Sequence, residues 1–597
     1  MDNFKPDGRS RRLSLTALCC LALVVGIVTA FGAVLFRELI GLVHNYLFFG
    51  KVNVAYNASA FNPSDPWGPL VILVPVIGGL GVTWIVSTFA PEAKGHGVPE
   101  VIDSIYYKRG VIRPVVAVVK SLASALAIGS GSSVGREGPI IQIGSALGST
   151  FGQIMRLPAG QRITLVAAGA GAGIAATFNT PIGGVLFASE LMLPEISVDT
   201  FLPVALATGT ATFIGRLFFG PQPAFVVPIN LAAIPDVPSS AITLMLYALL
   251  GAVAGVAAAG FIRGMHWLED IFDLIPGRYL RHSIGMAIVG ILMYGLYRSV
   301  GNYYVDGVGY ATIQSTLSGA IAGGGFLIVL FACKMLATTC SLGSGSSGGV
   351  FSPSLFMGAT LGAAFASVVK AVDPGAPVSL PAFAIVGMGA MVGGGTGAVM
   401  TAVTMVFEMT RDYDIVMPLI LAVAASVGVR RLLSRESIYT LKLVRRGRSL
   451  PKALHANMFL VRHAGEVMDA NVLVLPAKVT FDSFLHDHVT QARFHHVVVT
   501  QEGRLYGVIR INAGLWRGIE ASGNAMTLGD LASQDYTIAP EDAIAFDVIE
   551  RMWRKRAFMA IVVKGTGIPH GEQVVGVITK EHVADSVASS MKIYPRR

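Results

Sequence analysis

GSGSSVGREGPIIQIGSALGSTF, residues 129–151, is answered by GSGSSGGVFSPSLFMGATLGAAF, residues 343–365, at a constant offset of 214. Gly129, Ser130, Gly131, Ser132, Ser133, Gly135, Pro139, Gly144, Leu147, Gly148 and Phe151 all recur, eleven identities in twenty-three positions. Each copy reads as a Gly/Ser loop, a Pro in the first turn of an apolar helix, and small residues on that helix, Gly144 and Gly148 or Gly358 and Gly362. A helix that starts this way presents free backbone N–H groups at the positive end of its dipole. Such an end binds anions.

Composition says where these helix starts lie. Of 597 residues, 53% are hydrophobic and 14% charged, with a mean hydropathy of +0.63. Soluble chains carry about 25% charged residues, so this is an integral membrane protein. The apolar bias ends near residue 440, and the rest reads as soluble sequence. Net charge is +9, with cations grouped at Lys5, Arg9, Arg11 and Arg12 and again at Arg430, Arg431, Arg435, Lys442, Arg445, Arg446 and Arg448. Clusters that flank apolar spans place both chain ends in the cytoplasm of a plasma or inner membrane protein, and they argue against nucleic acid as a partner. Cys19, Cys20, Cys333 and Cys340 have no metal-ligand spacing and read as packing residues.

Apolar spans are expected at 13–43, 68–90, 111–128, 161–193, 200–219, 239–262, 283–300, 325–340, 380–408 and 414–433, several of them broken by Gly or Pro. Lys120 lies inside one, and an intramembrane cation is functional by default. GHGVP at 95–99 opens a short polar helix starting near Val98, and spacing alone leaves two readings, a surface loop with a solvated His96 or a second anion-binding helix start. Gly307, Gly309 and Ile313 echo Gly95, Gly97 and Val101 at an offset of 212, which makes this loop part of the duplication. At offset 218, Gly169, Gly171, Ala172 and Glu190 meet Gly387, Gly389, Ala390 and Glu408. Duplicated broken helices with facing ends are the pattern of a transporter-type site. Glu137 stands at the first copy's helix start, where an ionised carboxylate competes with a free anion for the same N–H groups; as an isolated residue it would be read as a capping glutamate.

Enzyme chemistry finds no support. Gly343, Gly345 and Gly348 satisfy GxGxxG, but the preceding strand and the acidic residue about 20 positions on that a dinucleotide site needs are missing. No Ser/His/Asp or HExxH arrangement occurs in the spans.

GHGVP, GREGP, GGVFSP and then a Tyr in SIYTL, in that order, closely resemble the CLC chloride channel and transporter family. The resemblance implies an all-α polytopic domain of two inverted repeats of tilted, broken helices, about eighteen in all, assembled as a homodimer in the bilayer with one pore per subunit. It implies a monovalent anion, chloride by preference, with no cofactor required. Carried over by position, Glu137 matches the gating glutamate; the backbone of Arg136, Glu137 and Gly138 lines an outer site; Gly97, Val350 and Phe351 supply inner backbone donors, and Tyr439 a hydroxyl. N–H and O–H dipoles replace the water of a weakly hydrated anion without a full charge that would trap it.

Two positions depart from the pattern. His96 stands where the family usually has an anion-binding Ser, and an imidazole N–H is still a donor. FASELM has Glu190 and then Leu191, where proton-exchanging members usually carry two glutamates and the second handles protons. The expectation is therefore a voltage- or pH-gated channel, with a proton-coupled antiporter as the alternative and Glu190 as a possible proton relay.

Beyond Tyr439, VLVLPAKVTFDSFLHDH, HHVVVT and GRLYGVIRIN are answered by YTIAPEDAIAFDVIERM, MAIVVK and EQVVGVITKEH, each set a strand, a helix and two strands. This resembles a soluble α/β tandem CBS pair, a module that binds adenine nucleotides in some relatives. Ribose-binding members usually have Ser or Thr followed three residues later by Asp; here Thr579 is followed by His582, and the first unit offers Arg510 and Ala513. A membrane-anchored nucleotide sensor is the reading from another class, although an anchor needs no carboxylate at a duplicated helix start. The expected divisions are a cytoplasmic tail 1–12, the transport domain 13–445, a linker 446–466, CBS units at 467–520 and 526–587, and a tail 588–597.

Overall fold

The computed structural model describes residues 11–62, 66–225, 241–321, 323–376, 378–448, 462–484, 486–487, 496–510, 526–565 and 570–583. Lys5, Arg9, Ala513, most of the 446–466 linker, the end of the first CBS unit and the 588–597 tail lie outside these residues. The chain separates into two units, 1–448 and 449–597.

In the first unit the duplication reaches further than the motifs suggested. One half runs α1 Leu15–Phe49, α2 Leu73–Phe89, α3 Val98–Tyr107, α4 Val115–Gly129, α5 Glu137–Ile154, α6 Ala159–Phe178, α7 Pro181–Phe187 and α8 Val198–Phe219. The other runs α9 Ala241–Asp273, α10 Arg278–Val300, α11 Tyr310–Leu317, α12 Gly324–Ser344, α13 Phe351–Val372, α14 Leu380–Thr396, α15 Val399–Thr410 and α16 Val416–Leu433, and α17 Thr440–Arg445 follows. Eight of the helices among the described residues are long and apolar enough to cross a membrane.

Packing repeats with the order of elements. α5 lies on α6 as α13 lies on α14, α1 on α8 as α9 on α16, and α2 on α4 as α10 on α12. The small residues explain the closest of these contacts. A methyl group added at Gly144 would strike the Gly169 carbonyl of α6, and one at Gly358 would strike the Gly387 carbonyl of α14. Three pairs also join an element to its own counterpart, α2 with α10, α5 with α13 and α7 with α15, which is the self-complementary contact a two-fold axis produces.

The expected spans 161–193 and 380–408 are each two helices. Asn179 (φ 62°) ends α6 in the left-handed region and Pro181 opens α7; Gly397 (φ 80°), 218 residues on, ends α14 before α15. α7 passes into a π-turn, Ala188–Met192, which carries Glu190. The span expected at 239–262 continues to Asp273. Arg37, a charge inside α1, lies over the Phe219 ring at 4.5 Å.

In the second unit each half forms a three-stranded sheet. β1 Val472–Pro476 pairs parallel with β2 His496–Gln501, which pairs antiparallel with β3 Arg504–Arg510. β4 Tyr536–Pro540, β5 Met559–Val563 and β6 Val574–Thr579 repeat the scheme. The helices Phe481–Phe484 and Ala545–Arg554 lie between the first strand and the second of each half, the latter burying Val548 and Met552. Val498 and Val508 of one sheet share a core with Met559, Ile561, Val563 and Val577 of the other. Each half thus has the strand, helix and two strands that the resemblance to a tandem CBS pair implies.

Candidate anion-binding site at the meeting of the repeats

The two Gly/Ser loops meet head on. Gly135 and Gly349, equivalent at offset 214, exchange both backbone hydrogen bonds, at 2.7 and 2.6 Å. A Cβ on Gly349 would lie 2.7 Å from the Gly138 nitrogen, so glycine is needed for this approach. α5 and α13 therefore start beside one another, and each exposes N–H groups that no preceding turn can satisfy.

Glu137 is the first residue of α5 and is 1% exposed. Its carboxylate lies on the other helix start: Oε2 accepts from the Ser352 N–H of α13 at 3.2 Å. Oε1 accepts from the Tyr310 hydroxyl at 2.6 Å and from the Ser352 hydroxyl, and these two hydroxyls are 3.0 Å apart. The gate expected from the resemblance is thus seated among anion donors, and two of its holders, Tyr310 and Ser352, were not anticipated. Ser352 was visible inside GGVFSP, directly after the matched Val350 and Phe351; Tyr310 follows the Gly307/Gly309 echo. The Arg136 guanidinium stacks over the Tyr310 ring at 5.0 Å and the Phe178 ring at 6.0 Å.

Deeper in the same meeting point lie His96 and Tyr439, 3% and 2% exposed, with ring centroids 5.9 Å apart. Neither ring nitrogen of His96 has a hydrogen-bond partner among the described residues. A buried imidazole left this way has donor capacity for a further group. Gly97, at φ 82°, turns the chain into α3. The loop before it is tied to the other repeat, with Gly95 N–H on the Ser346 carbonyl at 3.1 Å and the Ser347 hydroxyl on the Ala93 carbonyl at 2.8 Å. Lys120 donates to the Ala93 and Gly95 carbonyls at 2.9 and 2.7 Å. Lys334, its counterpart, does the same for Val305 and Gly307, both at 3.0 Å. Offset 214 applied to Lys120 would have found it.

This geometry has known relatives. The sequence model described as "Voltage gated chloride channel" matches residues 78–431. The H(+)/Cl(-) exchange transporter ClcA of Salmonella paratyphi B is 30% identical over 434 residues, 72% of this chain and 88% of that protein. The chain belongs to the CLC family. Among solved structures, a slow cyanobacterial Cl-/H+ antiporter matches with a TM-score of 0.61 at 25% identity over 72% of this chain and 97% of that one. A eukaryotic CLC transporter matches with a TM-score of 0.60 over 94% of this chain and 99% of that one; at 20% identity this speaks for the fold alone. The protein is accordingly a multi-pass membrane transporter of anions and no enzyme.

Within this CLC fold Glu190 has a definite environment. It accepts from the N–H groups of Val399, Met400 and Thr401 at 2.8, 3.3 and 2.9 Å and from the Thr401 hydroxyl at 2.8 Å. Its repeat partner Glu408 accepts from the Ile182 and Gly183 N–H groups at 3.1 and 2.7 Å. Each glutamate caps the short helix of the opposite repeat, a role that the offset of 218 hinted at only by matching the pair.

The basic turn after Tyr439 is ion-paired to α3. Glu100 faces Arg446 at 2.8 Å and Lys442 at 3.7 Å, and Asp103 faces Lys108 at 2.9 Å and also Arg448. The cations expected only as a membrane flank thus fasten the Tyr439 helix to the helix that follows His96. In the tail, the Thr579 hydroxyl accepts the His582 N–H at 3.2 Å.

Proposed function

We propose that the protein exchanges protons for monovalent anions, with chloride as the cargo. The observation that carries this reading is the seat of Glu137: its carboxylate uses the donors at the start of α13 that an anion would use. A carboxylate and an anion cannot hold one set of donors together. Protonation removes the charge that the helix start attracts and frees the seat, so a proton taken up is linked to an anion admitted. The backbones of Arg136, Glu137 and Gly138 then line the outer position. Gly97, Val350 and Phe351 with the Tyr439 hydroxyl and a neutral His96 N–H line the inner one.

The channel expectation rested on Leu191 alone. Against it stand the curated relatives, which are exchangers by name. The charge of Glu190 is engaged in a helix cap. In this reading Glu190 is structural. His96, whose backbone touches Gly138 and whose ring faces Tyr439, is the titratable side chain of the inner position. Homodimerisation and cytoplasmic termini, supplied by the family resemblance and the flanking cations, complete the proposal, and an adenine nucleotide at Thr579 and His582 is a ligand to be tested on the tail.

The test is the reversal potential of the reconstituted protein under opposing chloride and pH gradients. Exchange predicts a potential displaced from the chloride equilibrium value and moved by pH at fixed chloride; a value that follows chloride alone refutes it. His96→Ser is expected to change the order of anion preference by several-fold, read by competition in the same vesicles.

A further inference from the structure

Asp469, His496 and His582 are the one group of three or more metal-ligating side chains that converge among the described residues, and the transport reading makes no use of it. All three lie in the tail, on elements that strand pairing holds in place. Asp469 precedes β1, and its backbone exchanges hydrogen bonds with Val577 of β6 at 2.8 and 3.0 Å. His496 opens β2, in register with Val472 of β1 and Arg510 of β3. His582 follows β6 on a turn capped by Thr579. The cluster therefore joins the first CBS unit to the second.

Its side chains face one another. His582 Nε2 is 3.9 Å from Asp469 Oδ2, the two imidazole rings meet edge to face at 5.9 Å, and one ligand atom from each residue falls within 4.8 Å of the others. Ligands around a tetrahedral zinc ion at about 2.1 Å sit about 3.4 Å apart, so closure needs side-chain rotation without rearranging the strands. His582 and Asp469 are 27% and 18% exposed at their side chains, which leaves an ion a way in, while His496 is buried. His582 Nδ1 is buried without a hydrogen-bond partner among the described residues.

We propose that Asp469, His496 and His582 bind a divalent transition cation of the zinc type. Two imidazole nitrogens and one carboxylate oxygen suit zinc, cobalt or nickel and give little hold on magnesium or calcium, which take oxygen ligands. Three protein ligands leave a fourth position for water or an exogenous group. It stands at the residue where the ribose-binding pattern would place an aspartate. The ion would pull the start of β2, the entry to β1 and the exit of β6 together, fastening the two sheets. This inference is independent of whether the transport domain is an exchanger.

The experiment uses full-length protein in detergent, with any affinity tag removed and metals stripped by chelator, equilibrated with micromolar zinc chloride and then dialysed. Retained metal is counted per chain, and cobalt chloride is used in parallel for its visible absorption. The expected result is about one zinc ion per chain, a cobalt band of tetrahedral intensity, and affinity reduced at least tenfold in His582→Ala and in Asp469→Asn, with magnesium retained by none. Asp469→Asn keeps the shape of the side chain, and an unchanged metal-free unfolding midpoint certifies its fold. No retained zinc in the wild type, or zinc and cobalt signals that survive both single substitutions, overturns the proposal.

Discussion

The starts of α5 and α13 have nearly the same backbone and opposite duties. At offset 214 the two halves agree at Gly135/Gly349, Pro139/Pro353, Gly144/Gly358 and Lys120/Lys334. They disagree where the anion would pass: Glu137 answers Phe351, Gly138 answers Ser352, and at offset 212 His96 answers Val308 and Val98 answers Tyr310. The shared positions hold helices and loops. The unlike ones supply one carboxylate from the first half and the hydroxyl and N–H groups that hold it from the second. Duplication built a symmetric scaffold, and the proposed exchange uses the places where the symmetry was broken. The largest expected effect follows directly. Glu137→Gln removes the only charge in this asymmetric set and should abolish proton coupling, leaving chloride flux passive, faster at neutral pH and insensitive to pH. Vesicle efflux with simultaneous pH recording checks it, and persistent coupling would mean that the carboxylate is not the shared element.

A symmetric pair should respond symmetrically in stability and differently in function. Lys120→Met and Lys334→Met each keep the length of the chain and remove the donor from two buried carbonyls. A hydrogen bond from a charged donor is worth about 1.5–3 kcal/mol, so each variant, losing two, should lose roughly 3–6 kcal/mol, seen as a lower unfolding midpoint in detergent. Lys120 holds the loop that carries His96, whereas Lys334 holds the loop that leads to Tyr310. Anion affinity by calorimetry should therefore fall in Lys120→Met, while Lys334→Met should act on the gate and leave that affinity near the wild-type value. Equal affinities in both variants would dissolve the distinction.

Local chemistry made the scaffold legible in the sequence and long-range contact hid part of the site. Gly/Ser loops, Pro139 and Pro353 announce helix starts from a few neighbouring residues, and one offset joins them. The strand and turn signals of the tail are equally local. The seat of Glu137 is a different matter, since its partners lie 173 and 215 positions away. Sequence shows which helix ends are open, but not whose side chain reaches them. The same holds for Glu190, a possible proton relay from its sequence; its donors belong to a helix start 209 residues on.

The clamp on the gate offers a smaller effect than its removal. A hydrogen bond to a charged group is worth about 1.5–3 kcal/mol. Tyr310→Phe deletes one such bond and leaves the Ser352 hydroxyl and N–H in place, so the carboxylate should be displaced more easily. Chloride flux at neutral pH is expected to rise roughly tenfold, the equivalent of about 1.4 kcal/mol, with the exchange stoichiometry unchanged. A Ser352→Ala variant should act in the same direction. Flux that stays constant in both would place the control of the gate outside the second repeat.

The smallest effect tests whether the reciprocal glutamates belong with the symmetric scaffold or with the asymmetric machinery. Glu190→Gln and Glu408→Gln keep an acceptor at the opposite helix start and lose the charge, worth about 0.3–1 kcal/mol at a helix N-terminus. If both are caps, the two variants should show matching small decreases in unfolding midpoint and the wild-type number of protons moved per anion. The measurement is the reversal potential, taken for each variant beside the wild type. Glu190 makes more hydrogen bonds than Glu408, so the larger decrease should be its own. Loss of proton movement in Glu190→Gln but not in Glu408→Gln would transfer this pair to the unlike positions, because a cap that also carries protons is a function only one half possesses.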